Sequence, residues 1–341
     1  MIIESFPDRE ITVEGKSFLY FGGTAYLGLS THAEFQNNLI TGIKKWGTCY
    51  GSSRNANIKL SIFKKAEEAF ANLIGTETAL TCSSGTFAGK LVLECLSKSV
   101  NAFYHYPKTH PAILYQKSLP VFVDGKVHPN LLNNTPETVV IAADAFLGLE
   151  VEPTPFDFLS SISPQKQIIL LLDESHSLGI VGNHLEGVFN SIPNKVVNQK
   201  IMVSSLGKAL GMAGGIIAGD AGFINVLRNE PDFISSSSIS PAYLEAFMVS
   251  QDIIKNQRGK LEFNLEFLFE GLKLKPIFKF NKKYPVIYCE DDTIFKKFFH
   301  QGIIIANFKY PTYKAAMNRI VITANHTKTD LNKLKEVLLS F

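Results

Sequence analysis

The sequence lacks the features that mark membrane, secreted and zinc-binding proteins. No apolar run approaches the roughly 20 residues needed to cross a bilayer. Residues 1–10 include three acids and no apolar stretch of the kind that a secretory signal contains. Only four cysteines occur, and no two of them form a C-x-x-C pair. We therefore expect a cytoplasmic protein with reduced thiols, no metal site and no membrane partner.

The chain also lacks any strong charge asymmetry, which argues against nucleic acid as a partner. Charged residues make up 19% of the 341 residues, and the net charge is +3 with Lys and Arg scattered along the chain. A nucleic-acid site would instead need basic residues clustered on one face. The 45% hydrophobic content is that of a globular protein large enough for two domains.

Apolar runs alternate with helical patterns over the first two thirds of the chain. Apolar residues recur at helical spacing over 59–74, and 86–97 and 157–163 also resemble helices. The runs predicted to be buried strands are 79–82, 100–104, 121–123, 139–142, 168–172, 201–204 and 216–218. This alternation predicts an α/β fold with a largely parallel sheet covered on both faces.

After Pro241 the pattern changes. Helices are predicted at 242–257, 260–272 and 328–340, and strands at 286–289, 303–306 and 320–323. We expect three parts: residues 1–45 packing with a small domain, a large domain of residues 46–240, and the small α+β domain of residues 241–341.

Polar side chains follow several of the predicted strands. Asp173 ends an apolar run, and His176 comes three residues later. Because ligands bind beyond the carboxyl ends of the strands in open parallel sheets, we expect both side chains at a ligand site. The alternative is a helix cap at Asp173 with a surface histidine.

Lys208 follows the run 201–204, within the string SLGK. A phosphate-binding P-loop would need glycine at position 202 and serine or threonine at position 209, where this chain has Met202 and Ala209. A desolvated lysine at a strand end can instead lose its proton and attack a carbonyl group. The alternative is a solvated surface lysine.

Ser84, Gly85 and Thr86 lie between the run 79–82 and a predicted helix. Backbone N–H groups at a helix start bind phosphate well. A serine-hydrolase elbow would need glycine at position 82, which is Cys82. A simple helix N-cap is the alternative.

Taken together, an acid, a histidine, a lysine and a phosphate cradle at strand ends are the parts that pyridoxal phosphate needs. The lysine forms a Schiff base, the carboxylate keeps the pyridine nitrogen protonated, and a donor near the phenolic oxygen tunes the imine. A nucleotide-binding Rossmann protein is disfavoured, because no G-x-G-x-x-G follows a predicted strand. We therefore predict a pyridoxal-phosphate enzyme.

From about Phe21 onward, the sequence resembles the α-oxoamine synthase family of pyridoxal-phosphate enzymes, which includes 8-amino-7-oxononanoate synthase and 2-amino-3-ketobutyrate CoA ligase. The strings YLGL (26–29) and GSSR (51–54) and the D-x-x-H pair at 173 and 176 carry the likeness. The resemblance implies the aspartate-aminotransferase fold, with a seven-stranded, mainly parallel sheet. It also implies a homodimer with shared active sites.

The resemblance assigns roles to individual residues. It implies that Lys208 forms the Schiff base, Asp173 contacts the pyridine nitrogen, His176 contacts the phenolic oxygen and His110 stacks on the ring. It implies that Ser84, Gly85, Thr86 and Ser205 hold the phosphate, and that Ser237 reaches the phosphate of the neighbouring subunit. Arg319 would bind the substrate carboxylate, for which its forked guanidinium is suited. Thr24 would lie beside the substrate.

The departures from the family pattern leave the cofactor residues nearly intact and alter the substrate residues. Thr24 stands where the family usually has Asn beside the substrate, Asp144 where it has Glu, and Gly148 where a Ser contacts the cofactor. The short N-terminus predicts that some acyl-CoA contacts are missing. The resemblance implies decarboxylative condensation of an amino acid with an acyl-CoA and leaves both substrates open. The alternatives are transamination and a non-catalytic relative, which intact Lys208 and Asp173 disfavour.

Overall fold

The computed structural model describes residues 1–291, 293–308 and 317–341. Its strands are β1 (Glu10–Val13), β2 (Lys16–Phe21), β3 (Thr78–Cys82), β4 (Ala102–His105), β5 (Leu119–Pro120), β6 (Phe122–Val123), β7 (Lys126–Val127), β8 (Glu137–Asp144), β9 (Lys166–Asp173), β10 (Gln199–Ser205), β11 (Gly215–Gly219), β12 (Phe278–Phe280), β13 (Val286–Cys289), β14 (Ile303–Phe308) and β15 (Met317–Val321).

Its helices are α1 (Ala33–Trp46), α2 (Ser61–Ile74), α3 (Gly85–Ser97), α4 (Pro129–Leu132), α5 (Ala221–Arg228), α6 (Pro231–Ser235), α7 (Pro241–Val249), α8 (Gln251–Phe269), α9 (Ile294–His300) and α10 (Lys328–Leu339). Within the described ranges, no helix is long and apolar enough to cross a membrane.

A seven-stranded sheet forms the centre of the large part of the molecule, in the order β3-β11-β10-β9-β8-β4-β5. The strands from β10 to β5 pair in parallel, while β11 runs antiparallel to both of its neighbours. The apolar residues of β8 and β9 are almost fully buried, as expected for a sheet covered on both faces. The architecture confirms the predicted α/β fold class, and it brings the carboxyl ends of β8, β9 and β10 to one edge.

A second sheet joins the two ends of the chain, in the order β1-β2-β14-β15-β13-β12. Strand β2 pairs in parallel with β14, and the Arg9 guanidinium binds the Asp330 carboxylate with an Nε–Oδ2 distance of 2.9 Å. Asp330 also completes a capping box with Thr327 at the start of α10. The domain boundaries at residues 45 and 240 stay a prediction.

One predicted strand lies outside the large sheet, and one predicted helix is a different element. The run 121–123 does not join the large sheet, because β6 and β7 form a separate hairpin closed by Asp124 and Gly125, both at positive φ. An Asp-Gly dipeptide favours such a tight turn. Residues 157–163 form only a short 3₁₀ turn, since the residue before Pro164 is disfavoured in a helix.

Two element boundaries also differ from the prediction. The helical pattern breaks at Ser250, whose buried hydroxyl accepts a hydrogen bond from Asn38 Nδ2 (2.9 Å), and not near residue 258. Gly259 lies inside α8, because a single glycine weakens a helix by only about 1 kcal/mol. The strand predicted at 320–323 begins at Met317 and ends at Val321.

Candidate active site

Three adjacent strands end in the polar residues of the candidate site. Asp144 ends β8 and Asp173 ends β9, and the two residues are register partners in the sheet. Strand β10 ends at Ser205, and Lys208 lies in the turn that follows. The backbone N–H of Ser205 donates to the hydroxyl of Ser175 (2.8 Å), which joins the turn after β10 to the turn after β9. The sheet itself therefore fixes the relative positions of the acids and the lysine.

A cavity of about 220 Å³ lies above these strand ends. It is lined by Thr24, Lys108, His110, Asp144, Gly148, His176, Lys208, Phe308, Met317 and Arg319. Residues that the sequence assigned to the cofactor and residues that it assigned to the substrate thus share one cavity. Larger surface grooves exist, but they contain none of the predicted catalytic residues.

Burial dominates the electrostatics around Lys208. It lowers the pKa of the Lys208 ammonium group; the positive charge of Arg319 lowers it further, while Asp173 and Asp144 oppose the shift. Burial also raises the pKa of Asp144 well above its usual range, and the neighbouring Asp173 carboxylate adds to that rise. A lysine with a lowered pKa more readily supplies the neutral amine that attacks a carbonyl.

The two histidines of the cavity are held by different partners. The His110 backbone N–H donates to Asp144 Oδ2 (2.8 Å), and its Nδ1 accepts from the Ala112 N–H (3.1 Å). Nδ1 of His176 lies 2.9 Å from the Tyr26 hydroxyl. Burial lowers the pKa of both imidazoles, in His176 well below its usual range, so both are neutral near pH 7.

The predicted phosphate cradle lies where α3 begins. The Ser84 hydroxyl caps the helix by accepting the Phe87 N–H (3.1 Å), so the capping interpretation holds for this residue. A Cβ at Gly85 would come within 2.8 Å of Ser205 Cα, so the start of α3 packs tightly against the end of β10. This contact places the free N–H groups at the helix start, including that of Thr86, close to Ser205.

On the substrate side, Arg319 reaches the cavity from β15 and Thr24 from the segment after β2. Arg319 Nη2 donates to the Gly23 carbonyl (3.1 Å), and its guanidinium lies 5.4 Å from the centre of the Phe308 ring. Arg319 Nε is buried and has no hydrogen-bond partner among the described residues. The guanidinium therefore retains a donor for an anionic ligand.

Ser237 is the predicted site residue that lies apart from the others. It is exposed after α6 and does not line the cavity of its own chain. The adjacent Ser238 has a buried hydroxyl without a partner in the part of the chain that the structure describes. The roles of Ser237 and of all the other predicted site residues remain predictions.

Sequence reasoning missed several residues that shape the site. Lys108 and Met317 line the cavity, and Asp144 was noted only as a departure from the family pattern. Asp144 could have been found by the signal that identified Asp173, because each follows a long apolar strand. Tyr284 had no such signal: it lies just before β13 of the second sheet, and its hydroxyl donates to the His176 carbonyl (3.2 Å).

These residues fit pyridoxal phosphate. Asp144 and Asp173 are buried, and neither forms a salt bridge within residues 1–291, 293–308 and 317–341. A protonated pyridine nitrogen would supply the missing positive charge. Lys208 would hold the cofactor covalently, and Ser205 with the start of α3 would hold its phosphate. Fold and site together define a pyridoxal-phosphate-dependent transferase.

Comparison with known proteins supports this conclusion. The family model for aminotransferase class I and II matches residues 154–338, more than half of the chain, and a DegT/DnrJ/EryC1/StrS aminotransferase model matches residues 60–187. The chain therefore belongs to the class I and II aminotransferase family. The predicted cofactor and the predicted enzyme class are both confirmed.

The curated relatives extend over nearly the whole chain. A putative 8-amino-7-oxononanoate synthase of Thermodesulfovibrio yellowstonii is 26% identical over 98% of this chain and 91% of its own length. The 8-amino-7-oxononanoate synthase of Lysinibacillus sphaericus is 24% identical over 97% of this chain and 91% of its own length. These relatives confirm the predicted resemblance to α-oxoamine synthases.

Solved structures agree on the fold. Serine palmitoyltransferase from S. paucimobilis, solved with a bound PLP–myriocin aldimine, superposes with a TM-score of 0.79 at 15% identity, covering 99% of this chain and 91% of the other. The 8-amino-7-oxononanoate synthase of Francisella tularensis gives 0.70 at 22% identity, covering 95% and 97%. At these identities the likeness concerns the fold alone.

Proposed function

We propose that the protein joins the α-carbon of an amino acid to the acyl group of an acyl-CoA, with loss of carbon dioxide. The observation that carries this proposal is the similarity, over 97–98% of the chain, to proteins named as 8-amino-7-oxononanoate synthases, whether putative or not. The geometry of the cavity supports it, because the cavity is lined by the Lys208 amine, by Arg319, which is suited to bind a carboxylate, and by two neutral histidines.

Substrate binding starts from Arg319. Its free Nε donor, together with Nη2 beside the Gly23 carbonyl, is suited to the α-carboxylate of an amino acid. Thr24 lines the same cavity as Arg319, where its side chain would lie beside the bound amino acid. Arg319 thereby orients the amino acid with its α-carbon toward Lys208.

When bound, pyridoxal phosphate supplies an electron sink that stabilises negative charge on the α-carbon of the amino acid. The Lys208 Nζ is placed to remove the α-proton, and burial, which lowers its pKa, favours the neutral amine that this step needs. The Asp173 carboxylate favours positive charge at the pyridine nitrogen. His110, which packs beside Asp144, covers one face of the same space and helps to exclude water.

The discriminating experiment mixes the enzyme with a panel of amino acids and a panel of acyl-CoAs. Free thiol and released carbon dioxide are both followed. We expect thiol release that depends on one amino acid and is accompanied by an equal amount of carbon dioxide. Thiol release without any amino acid would indicate simple thioester hydrolysis and would contradict the proposal.

Transamination is the second candidate, because the matching family model describes aminotransferases and because Thr24, Asp144 and Gly148 depart from the α-oxoamine synthase pattern. An aminotransferase would convert the bound cofactor to pyridoxamine phosphate when an amino acid is added alone. Accumulation of pyridoxamine phosphate, with no thiol release from any acyl-CoA, would move the assignment to this class.

We further propose a homodimer in which Ser237 reaches the cofactor phosphate of the partner subunit. Two facts support this: Ser237 is exposed and lies outside the cavity of its own chain, and the neighbouring Ser238 hydroxyl is buried without a partner among the described residues. Light scattering should give a dimer, and Ser237→Ala should weaken cofactor binding. A cytoplasmic location also stays a proposal, supported by the four free cysteines.

A further inference from the structure

Tyr26 contacts His176 but is not among the residues that line the cavity. It is only 1% exposed, and its hydroxyl lies 2.9 Å from His176 Nδ1. The two rings meet edge to face, with centroids 6.4 Å apart. The other side of His176 lines the cavity, and Nε2 has no hydrogen-bond partner among the described residues. The imidazole thus has one nitrogen held by the protein and one available to a ligand.

The charge state of both groups limits how this hydrogen bond can run. Burial, with the positive charges of Lys208 and Arg319, lowers the pKa of His176 well below its usual range, so the ring carries one proton. Burial also raises the pKa of Tyr26, so its hydroxyl keeps its proton. The single imidazole proton must therefore sit on either Nδ1 or Nε2, and the direction of the tyrosine hydrogen bond decides which.

We propose that Tyr26 is a positioning residue whose hydroxyl donates to His176 Nδ1 and so keeps the imidazole proton on Nε2. Nε2–H then points into the cavity as a hydrogen-bond donor, which is what the phenolic oxygen of pyridoxal phosphate requires. This inference rests on the proposed function, because it assigns the cavity side of His176 to the cofactor. It extends that function to a residue that does not itself line the cavity.

Tyr104 supplies the control. It is as deeply buried as Tyr26, at 1% exposed, and its ring packs against His128. Tyr284 is unsuitable, because its hydroxyl contacts both the His176 carbonyl and the Tyr26 hydroxyl. Tyr104→Phe and Tyr26→Phe therefore each remove one buried hydroxyl, but only the second removes it from the His176 imidazole.

The test measures ¹⁵N chemical shifts of histidine side chains in the full-length protein, with the His176 signals assigned from a His176→Gln sample. In the wild type we expect the proton on Nε2 and a hydrogen-bonded, unprotonated Nδ1. In Tyr26→Phe the Nδ1 signal should move to that of a nitrogen without a hydrogen bond, with both tautomers populated. Pyridoxal phosphate affinity should fall about tenfold, as for the loss of one hydrogen bond. Tyr104→Phe should leave both measurements nearly unchanged.

A proton on Nδ1 in the wild type would overturn the proposal, and this measurement does not depend on whether any variant folds. Equal effects of Tyr26→Phe and Tyr104→Phe would also overturn it, because the loss of any buried tyrosine hydroxyl would then have the same consequence. If the wild type shows the expected tautomer yet binds no pyridoxal phosphate, the proposed function fails while the role of Tyr26 in setting the tautomer is supported.

Discussion

On one side of the cavity, three residues lie at or just after the ends of neighbouring strands of one sheet: Asp144, Asp173 and Lys208. On the other side, Arg319 donates a hydrogen bond to the carbonyl of Gly23, which lies 296 residues earlier in the chain. The first set is positioned by backbone hydrogen bonds of buried strands. The second is positioned by the packing of two distant segments. Asp173 and Lys208 match the family pattern, whereas Asp144 departs from it, and so does Thr24, which follows Gly23. The lysine and Asp173 can thus be kept while the residues around them change.

The largest effect is expected from Lys208→Ala on the cofactor side. Without the amine, pyridoxal phosphate cannot be held covalently, and the α-proton loses its base. Turnover should fall by at least about 10³-fold, and borohydride should no longer fix the cofactor to the protein. Lys200→Met is the control, because Lys200 lies on β10, the strand that precedes Lys208, but donates to the Phe189 and Ile192 carbonyls instead. Borohydride labelling of a peptide other than that of Lys208 would contradict the assignment.

Asp173→Asn should have the next largest effect. The change removes the negative charge opposite the pyridine nitrogen but nearly keeps the shape of the side chain. Turnover should fall by about 10²- to 10³-fold, the range for the loss of one preorganised electrostatic contact. Cofactor binding, followed by absorbance, should change far less. Unchanged turnover would remove Asp173 from the mechanism.

The cofactor side should also show a pH-dependent stability that arises at Glu174. This carboxyl group is fully buried, and burial raises its pKa from 4.5 to about 7. The folded protein therefore holds this proton more tightly than the unfolded chain, so stability is full below pH 4.5 and falls as the pH rises to about 7. The loss is at most about 3 kcal/mol.

Glu174→Gln tests this expectation, because glutamine cannot ionise. Thermal unfolding of both proteins between pH 4.5 and 8 should show that the stability advantage of the wild type shrinks as the pH rises. Exposed Glu68→Gln is the control and should leave the slope unchanged. A constant difference between wild type and Glu174→Gln would show that Glu174 is ionised throughout this range.

On the substrate side, Arg319→Met should raise KM for the amino acid by about 10- to 100-fold, since a hydrogen bond to a charged group contributes about 1.5–3 kcal/mol. The effect on kcat should be smaller, because the carboxylate is bound in the ground state as well. Arg258→Met changes an arginine outside the cavity and should leave KM unchanged. If kcat fell while KM stayed constant, Arg319 would act in the chemical step instead.

The smallest effect is expected from Thr24→Asn, which restores the residue that the family usually carries. The longer amide adds a donor at the cavity wall, so the relative kcat/KM for different amino acids should shift by less than about tenfold. Cofactor affinity should not change. A lower cofactor affinity in Thr24→Asn would show that the cofactor side and the substrate side of the cavity are not independent.

The cofactor side could be predicted because apolar runs and their polar ends are local signals. Asp173 and Lys208 each follow such a run, and parallel strands bring their carboxyl ends together. Glu174 follows Asp173 directly, yet in its buried position it accepts the backbone N–H of Val188, which the sequence pattern does not connect to it.

The rest of the site depends on contacts between segments that are distant in sequence. No periodicity indicates that Tyr284, just before β13, reaches His176, or that a buried Ser250 ends α7. Such positions follow from tertiary packing, which overrides local propensity. The family resemblance supplied what local patterns could not, namely the expected places of His110, Ser237 and Arg319.

The pairing of β2 with β14 also affects how the chain folds during synthesis. About 280 residues separate these strands, so at about 5–20 residues per second the first hairpin waits about 15 to 55 s for its partner on the ribosome. During that time its open edge can pair with another chain. The strands that are made first are thus among the last to reach their final neighbours, and this delay sets when the small sheet can close.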